Sequence, residues 1–178
     1  MEYYEMTIAG LKRRVPLFPV NEKLSIAAFI MFGDTEVTVA SASELLEKCP
    51  DFDVLLTAEA KGIPLCYEMA RQSGKPYVVA RKGKKIYMTD PVEFKLNSIT
   101  TKNTQVMYLG QEDIAMLRDK RVLIVDDVVS TGESLAALEK IVEASEGKIV
   151  CQAAVLAEGD AAKRKDLVYL EELPLFFK

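Results

Sequence analysis

Residues 122–134 read VLIVDDVVSTGES. Four apolar residues end in Asp126-Asp127, two more apolar residues follow, and Ser130-Thr131-Gly132-Glu133-Ser134 opens a segment of helical spacing. The apolar run predicts a buried strand. Small residues at a helix start let backbone N–H groups meet an anion at close range, and the hydroxyls add donors. Two carboxylates just ahead of such a turn can grip vicinal hydroxyls or the waters of a Mg²⁺ ion. A plainer alternative has Asp126-Asp127 merely ending a strand while Thr131 caps a helix. The stretch lacks the GxxxxGK of a P-loop, and no GxGxxG argues for a dinucleotide site.

Working outward, three more short apolar runs predict strands: DVLLT (53–57), YVVA (77–80) and IVCQAAVLA (149–157). Helical spacing separates them. One helix is expected over 63–73 with Gly74 as its C-cap, and another over 132–146 with Leu135, Leu138, Ile141 and Val142 on one face and Gly147 closing it. Strands alternating with helices predict βαβ units, hence an α/β fold with a parallel sheet covered on both faces. Ligands of such sheets bind beyond the carboxyl ends of the strands. There the chain places TAEAKG (57–62), RKGKK (81–85) and DDVVSTGES (126–134), a mixture suited to a phosphorylated ligand carrying a divalent cation. Residues 81–120 form a polar insertion with weak strand patterns at 85–88 and 105–109. Toward the N-terminus, LSIAAFIMF (24–32) and TEVTVA (35–40) flank Gly33-Asp34 and read as antiparallel strands around a two-residue turn. Ser41 to Glu44 reads as a capping box before a short helix ending near Pro50.

Composition narrows the chemistry. The 178 residues are 49% apolar and 28% charged, which suits one compact globular domain over 1–178. A net charge of −4 provides no global field for nucleic acid. There is no histidine, which removes histidine bases, triads and metal ligands together. Cys49, Cys66 and Cys151 form no CxxC pair and read as reduced thiols used for packing. The longest apolar runs fall far short of the ~20 residues that a membrane helix needs. The acidic opening MEYYEMTIAG does not resemble a secretory signal, so the expected compartment is the cytoplasm.

The 122–134 stretch resembles the phosphoribosyl diphosphate (PRPP) signature of type I phosphoribosyltransferases, and matches it at every position. The resemblance extends from about Asp53 to Leu175. It implies a parallel sheet flanked by helices, with a small hood built from the N-terminal and C-terminal segments. Residues 1–50 would contribute to that hood, and 81–120 would hold the mobile loop. It also implies a pentosyltransferase that joins PRPP to a base with Mg²⁺ and releases pyrophosphate, usually as a homodimer.

By that resemblance Asp126 and Asp127 would hold the ribose hydroxyls and assist the metal, while Ser130, Thr131, Gly132, Glu133 and Ser134 would cradle the 5-phosphate. TAEAKGIPL (57–65) resembles the family's pyrophosphate loop. This assigns Glu59, Ala60, Lys61 and Gly62 to pyrophosphate, with a cis peptide bond expected at Glu59–Ala60. Arg81, Lys82 and Lys85 would add cations, although RKGKK also reads as a solvated turn. SITTKNTQ (98–105) is similar to the family's catalytic loop, in which Lys102 would close over pyrophosphate; it also reads as a plain surface hairpin.

Departures from the subfamily patterns bear on the base. Ser130 stands where hypoxanthine-guanine enzymes hold an Asp, and Gly159 stands where xanthine-type enzymes place a Lys. Both departures favour adenine, whereas LNSITTKN (96–103) lacks the Leu-Glu-Tyr-Gly of adenine enzymes. The residues that contact the base are left unassigned; proton transfer falls to a carboxylate, water or the backbone, with Glu93, Glu112 and Glu158 equal candidates among the carboxylates. Two alternatives remain open at this level: a PRPP-sensing transcriptional regulator of the same fold, and a xanthine, hypoxanthine or orotate enzyme.

Overall fold

The computed structural model describes residues 2–97 and 104–178. The chain opens with strands β1 (Tyr3–Ile8), β2 (Leu11–Pro19) and β3 (Leu24–Ala27), followed by helix α1 (Thr35–Lys48). Then come β4 (Val54–Ala58), α2 (Ile63–Ser73), β5 (Tyr77–Ala80), β6 (Val92–Asn97), β7 (Thr104–Leu109) and α3 (Gln111–Leu117). The last part contains β8 (Arg121–Val129), α4 (Glu133–Ala144), β9 (Lys148–Glu158), β10 (Val168–Leu173) and β11 (Phe176–Phe177). Among the described residues no helix is long and apolar enough to cross a membrane.

The main sheet has the order β10-β9-β8-β4-β5, and every pairing in it is parallel. Side chains alternate between its faces. Val54, Leu56, Val122 and Ile124 pack with α3 and α4, whereas Leu55, Leu123 and Val125 pack with α1 and α2. Helices cover both faces, which is why these strands carry unbroken apolar runs instead of an alternating pattern. The fold class is the one anticipated from the strand-helix alternation. β8 is longer than its VLIV core suggests: it continues through both acids to Val129, because Asp126 and Val128 still pair with Ala154 and Leu156 of β9.

A second, antiparallel sheet has the order β1-β2-β3-β11 and joins the chain's two ends. Ile8, Val15 and Ala27 from this sheet share one apolar layer with α1 and α2.

Three local expectations are corrected. TEVTVA is not a strand but the start of α1, and the preceding strand stops at Ala27. Gly33 does turn the chain, at φ +82°, but Asp34 then caps a helix by accepting from the Val37 N–H at 3.1 Å. Val37 and Ala42 face the core, so tertiary packing overrides the β-branched local preference. Ser41 is consequently buried in mid-helix and begins no capping box. In the insertion, residues 85–88 form a turn and not a strand. Ile86 is fully exposed there, while Val92 and Phe94 of β6 find the core and pair with β7. At the end of α4 the left-handed residue is Glu146 (φ 60°), not Gly147. Gly147 still closes the helix through its N–H, which donates to the Val142 oxygen at 2.9 Å, and it also serves close approach, because a Cβ there would sit 2.8 Å from the Leu117 carbonyl oxygen.

Asp34 also ties the two sheets' layers together. The Arg13 guanidinium of β2 donates to both Asp34 oxygens at 2.7 and 3.0 Å and reaches Glu36 at 2.7 Å. Hydrogen bonding from Arg13 holds the Asp34 carboxyl below its ordinary value. A depressed carboxylate stabilises the fold above the unfolded-state value and loses that contribution as pH falls through the folded one. Asp34→Ala should therefore cost about 1–2 kcal/mol near pH 7. The gap to the parent should close as pH drops below the carboxylate range in a thermal-melt series. A gap independent of pH would mean that cap geometry, and not charge, carries the effect.

Candidate active site

Each segment singled out at the carboxyl edge of the main sheet follows or ends a core strand. After β4 the chain passes Glu59, Ala60, Lys61 and Gly62 before α2 begins at Ile63, with Pro64 in its first turn. The Glu59–Ala60 peptide bond is cis, as the resemblance implied. Lys61 extends its ammonium to within 3.6 Å of the Asp127 carboxylate, which is only 3% exposed, whereas Lys61 itself is 55% exposed.

The acid pair is electrostatically loaded. Asp127 lies within β8 with Oδ2 buried and without a hydrogen-bond partner, and its N–H donates to Asp126 Oδ1 at 2.9 Å. Burial, reinforced by the Asp127 charge, pushes the Asp126 carboxyl up to about 7, and Lys61 opposes that rise only weakly. Neighbouring side chains of a strand point to opposite faces, and the loop of Lys61 comes directly against β8 at Asp126. Gly62 permits that meeting. A Cβ at this position would lie 2.5 Å from Thr57 Oγ1, 3.0 Å from Asp126 Oδ1 and 3.3 Å from Asp126 Cα.

Beyond β8, Ser130 and Thr131 are exposed, Gly132 adopts φ +79°, and α4 starts at Glu133. Asp126 and residues 128–135 line a hollow of about 50 Å³ at this helix start. The Glu133 N–H donates to Thr131 Oγ1 at 3.4 Å.

Next to the Lys61 loop, Glu59 accepts from the Lys82 N–H at 2.8 Å and from Arg81 Nε at 3.2 Å. The Lys82 amide is the main cause that holds the Glu59 carboxyl low, with the charges of Arg81 and Lys85 adding to it. Arg81 is further fixed by paired backbone hydrogen bonds with Tyr108 of β7, at 3.0 and 2.8 Å. The structure thus brings Glu59, Lys61, Arg81 and Lys82 together around one loop. Lys102 lies outside the described residues.

Three further residues belong to this edge. Thr57 Oγ1 is fully buried without a hydrogen-bond partner and faces Gly62. Arg164 projects its Nη1 to 2.7 Å from where a Gly132 Cβ would stand, while Asp166 holds its other nitrogens at 3.0 and 2.7 Å. Thr57 opens the TAEAKG stretch but carries no assigned role there, and no local pattern marks Arg164, which reaches the site through long-range packing. Glu158 ends β9 with its carboxyl raised by burial, against a weaker opposing pull from Lys61. The other two proton-transfer candidates lie in different settings. Glu93 is paired with Lys95 and accepts from the Tyr108 hydroxyl, and Glu112 is in the first turn of α3.

A family model described as the phosphoribosyl transferase domain matches residues 37–173. The chain belongs to that family. It is 26% identical over 147 residues to a hypoxanthine/guanine phosphoribosyltransferase of Methanocella arvoryzae, covering 83% of this chain and 71% of that one. It is 35% identical over 118 residues to an adenine phosphoribosyltransferase of Thermotoga petrophila, covering 66% of each chain. The adenine phosphoribosyltransferase structure from Thermoanaerobacter pseudethanolicus superposes with a TM-score of 0.71 at 19% identity, covering 89% of this chain and 95% of that one. This last likeness is one of fold.

Proposed function

We propose that the chain transfers the 5-phosphoribosyl group of PRPP to a ring nitrogen of a purine, with adenine preferred, and releases pyrophosphate. One observation carries the reading: an acid pair with Asp127 buried, a lysine 3.6 Å from it and a small-residue helix start lie on one sheet edge. In the reaction the base nitrogen bonds to the anomeric carbon as the bond from that carbon to the pyrophosphate oxygen breaks. Positive charge builds on the ribose and negative charge on the leaving group. Asp126 and Asp127 face the first, and Lys61, Arg81 and Lys82 face the second. Residues 130–134 anchor the 5-phosphate through their amides and hydroxyls.

A divalent cation fits this donor set. The exposed candidates are all oxygen donors, and Asp127 Oδ2 is buried without a hydrogen bond. Among the described residues no group of three or more acidic or thiol ligands could hold a metal alone, so phosphate oxygens and water would complete the shell. Mg²⁺ held by Asp126 and Asp127 in this way would neutralise charge on the departing pyrophosphate. Lys61 is exposed enough to leave Asp127 for that group. Lys102 is proposed to close over the same group. Glu158, partly buried at the carboxyl edge, is the best placed of the three glutamates to take the purine's N–H proton.

The adenine preference rests on a missing donor. Gly159 is left-handed at φ +58°, and a Cβ there would lie 3.0 Å from Leu175 Cδ1. The glycine offers no side-chain donor that could meet a 6-oxo group. Leu175, next to Gly159, directly precedes β11 of the small sheet, which is proposed to form the hood over the base. A cytoplasmic, homodimeric enzyme of purine salvage is part of the same proposal.

The test is pyrophosphate release from PRPP and Mg²⁺ with adenine, hypoxanthine, guanine, xanthine and orotate in parallel. Adenine should turn over fastest, by at least about tenfold given a missing 6-oxo donor. Faster turnover of an oxopurine would overturn the base assignment. PRPP binding without release for any base would replace the enzyme with a PRPP sensor.

A further inference from the structure

Cys49 and Cys151 are 102 residues apart in the chain, yet their sulfurs lie 3.7 Å from each other. The meeting depends on an irregularity in the sheet. Val122 pairs with Ile149 but Leu123 pairs with Cys151, so Val150 is an extra residue in β9. Ile149 packs with the layer of α3 and α4, whereas Val150 and Cys151 both pack with the layer of α1 and α2. Without the bulge, the alternation would turn Cys151 away from α1. Cys49 is the first residue beyond α1, in extended conformation (φ −85°, ψ 148°), with its N–H donating to the Leu45 oxygen at 2.9 Å. Both thiols are partly exposed, whereas Cys66 is buried.

We propose that Cys49 and Cys151 form a reversible intramolecular disulfide, making a two-thiol redox site that latches α1 to β9. The sulfurs must close to about 2.05 Å, a shift that rotation of the two side chains has to supply. The sulfurs are within hydrogen-bond reach, so a proton kept on one stabilises the other as thiolate. Cys151 is the thiol held lower and Cys49 the one held higher. The negative end of α1 at Cys49 works in the same direction. Cys151 is therefore the attacking sulfur.

With oxidised glutathione as oxidant, the Cys151 thiolate attacks one glutathione sulfur and expels the other as a thiolate. Cys49 then loses its proton to solvent and attacks Cys151 Sγ in the mixed disulfide, releasing the second glutathione. The protein loses two electrons, and one oxidised glutathione becomes two reduced ones. Cys151 lies opposite Leu123, toward the amino side of the acid pair, and the phosphate-handling loops lie beyond the carboxyl edge. The latch should therefore act on stability and leave the chemistry alone.

The full chain is equilibrated with mixtures of reduced and oxidised glutathione, quenched by alkylation, and read by intact mass, non-reducing peptide mapping and thermal melting. Of the three thiols only Cys66 should remain alkylated under oxidising mixtures. A Cys49–Cys151 cross-linked peptide should appear, and the melting temperature should rise by roughly 5–10 °C. Cys49→Ser and Cys151→Ser should each abolish that rise, and Cys66→Ser should keep it. Three free thiols under excess oxidised glutathione, glutathione retained on the parent chain, or a disulfide between two chains would each overturn the proposal. If a serine variant does not fold, the parent chain's peptide map decides alone.

Discussion

Asp127→Asn should lower pyrophosphate release on the order of 10²–10³-fold, the usual loss when one preorganised electrostatic group is removed. It should not lower the melting temperature. The native carboxylate is almost fully buried and one of its oxygens has no hydrogen bond, so the fold gains little from its charge. The substitution keeps the shape and removes the charge that, after burial, contributes most to raising Asp126. This adds a pH signature. Native Asp126 holds a proton up to about 7 that an unfolded carboxyl releases from a starting value of 3.8. Between those values the native state binds more protons, so parent stability should fall as pH rises through that window. In Asp127→Asn the slope should be shallower. Stability and activity would then move in opposite directions, as expected of a group kept for function. A parallel loss of both would place Asp127 among the structural residues.

Gly62→Ala should damage both properties together. The added methyl meets Thr57 Oγ1 at 2.5 Å and Asp126 at 3.0–3.3 Å. Thr57 is β-branched and fully buried, and so has little room to rotate away. Overpacking of this kind costs about 1–3 kcal/mol, equivalent to roughly 2–10 °C in melting temperature. The relief available is movement of the Lys61 loop away from the acid pair, and a displacement of about 1 Å at such a site costs on the order of 10²-fold in rate. Gly83→Ala is the stability control, because a Cβ there meets nothing within 4 Å. Near-normal turnover in Gly62→Ala would show that the loop is not held against Asp126 during catalysis.

The residues differ in how visible their roles are along the chain. α2 begins and ends where its spacing and Gly74 place it, because its cap and its apolar face are both local. α1 does not: TEVTVA has strand character, and its helix depends on the Asp34 cap, the Arg13 fork and a core-facing Val37. The phosphate turn, the acid pair and Lys61 are readable because each is contiguous with a strand end. Arg164 is not, since only packing brings it to that edge, and the burial that raises Glu158 and closes Gly62 against Thr57 is likewise invisible along the chain.

The sequence by itself determined the alternating strand and helix order, the parallel sheet and the edge that carries its chemistry. These follow from apolar periodicity and turn residues acting over a few positions. Tertiary structure alone decided three things: the fit of Gly62 against Thr57 and Asp126, the raised carboxyls, and the approach of Cys49 to Cys151. Each depends on burial or on contact between segments distant in the chain, and one bulged residue in β9 sets which layer Cys151 enters.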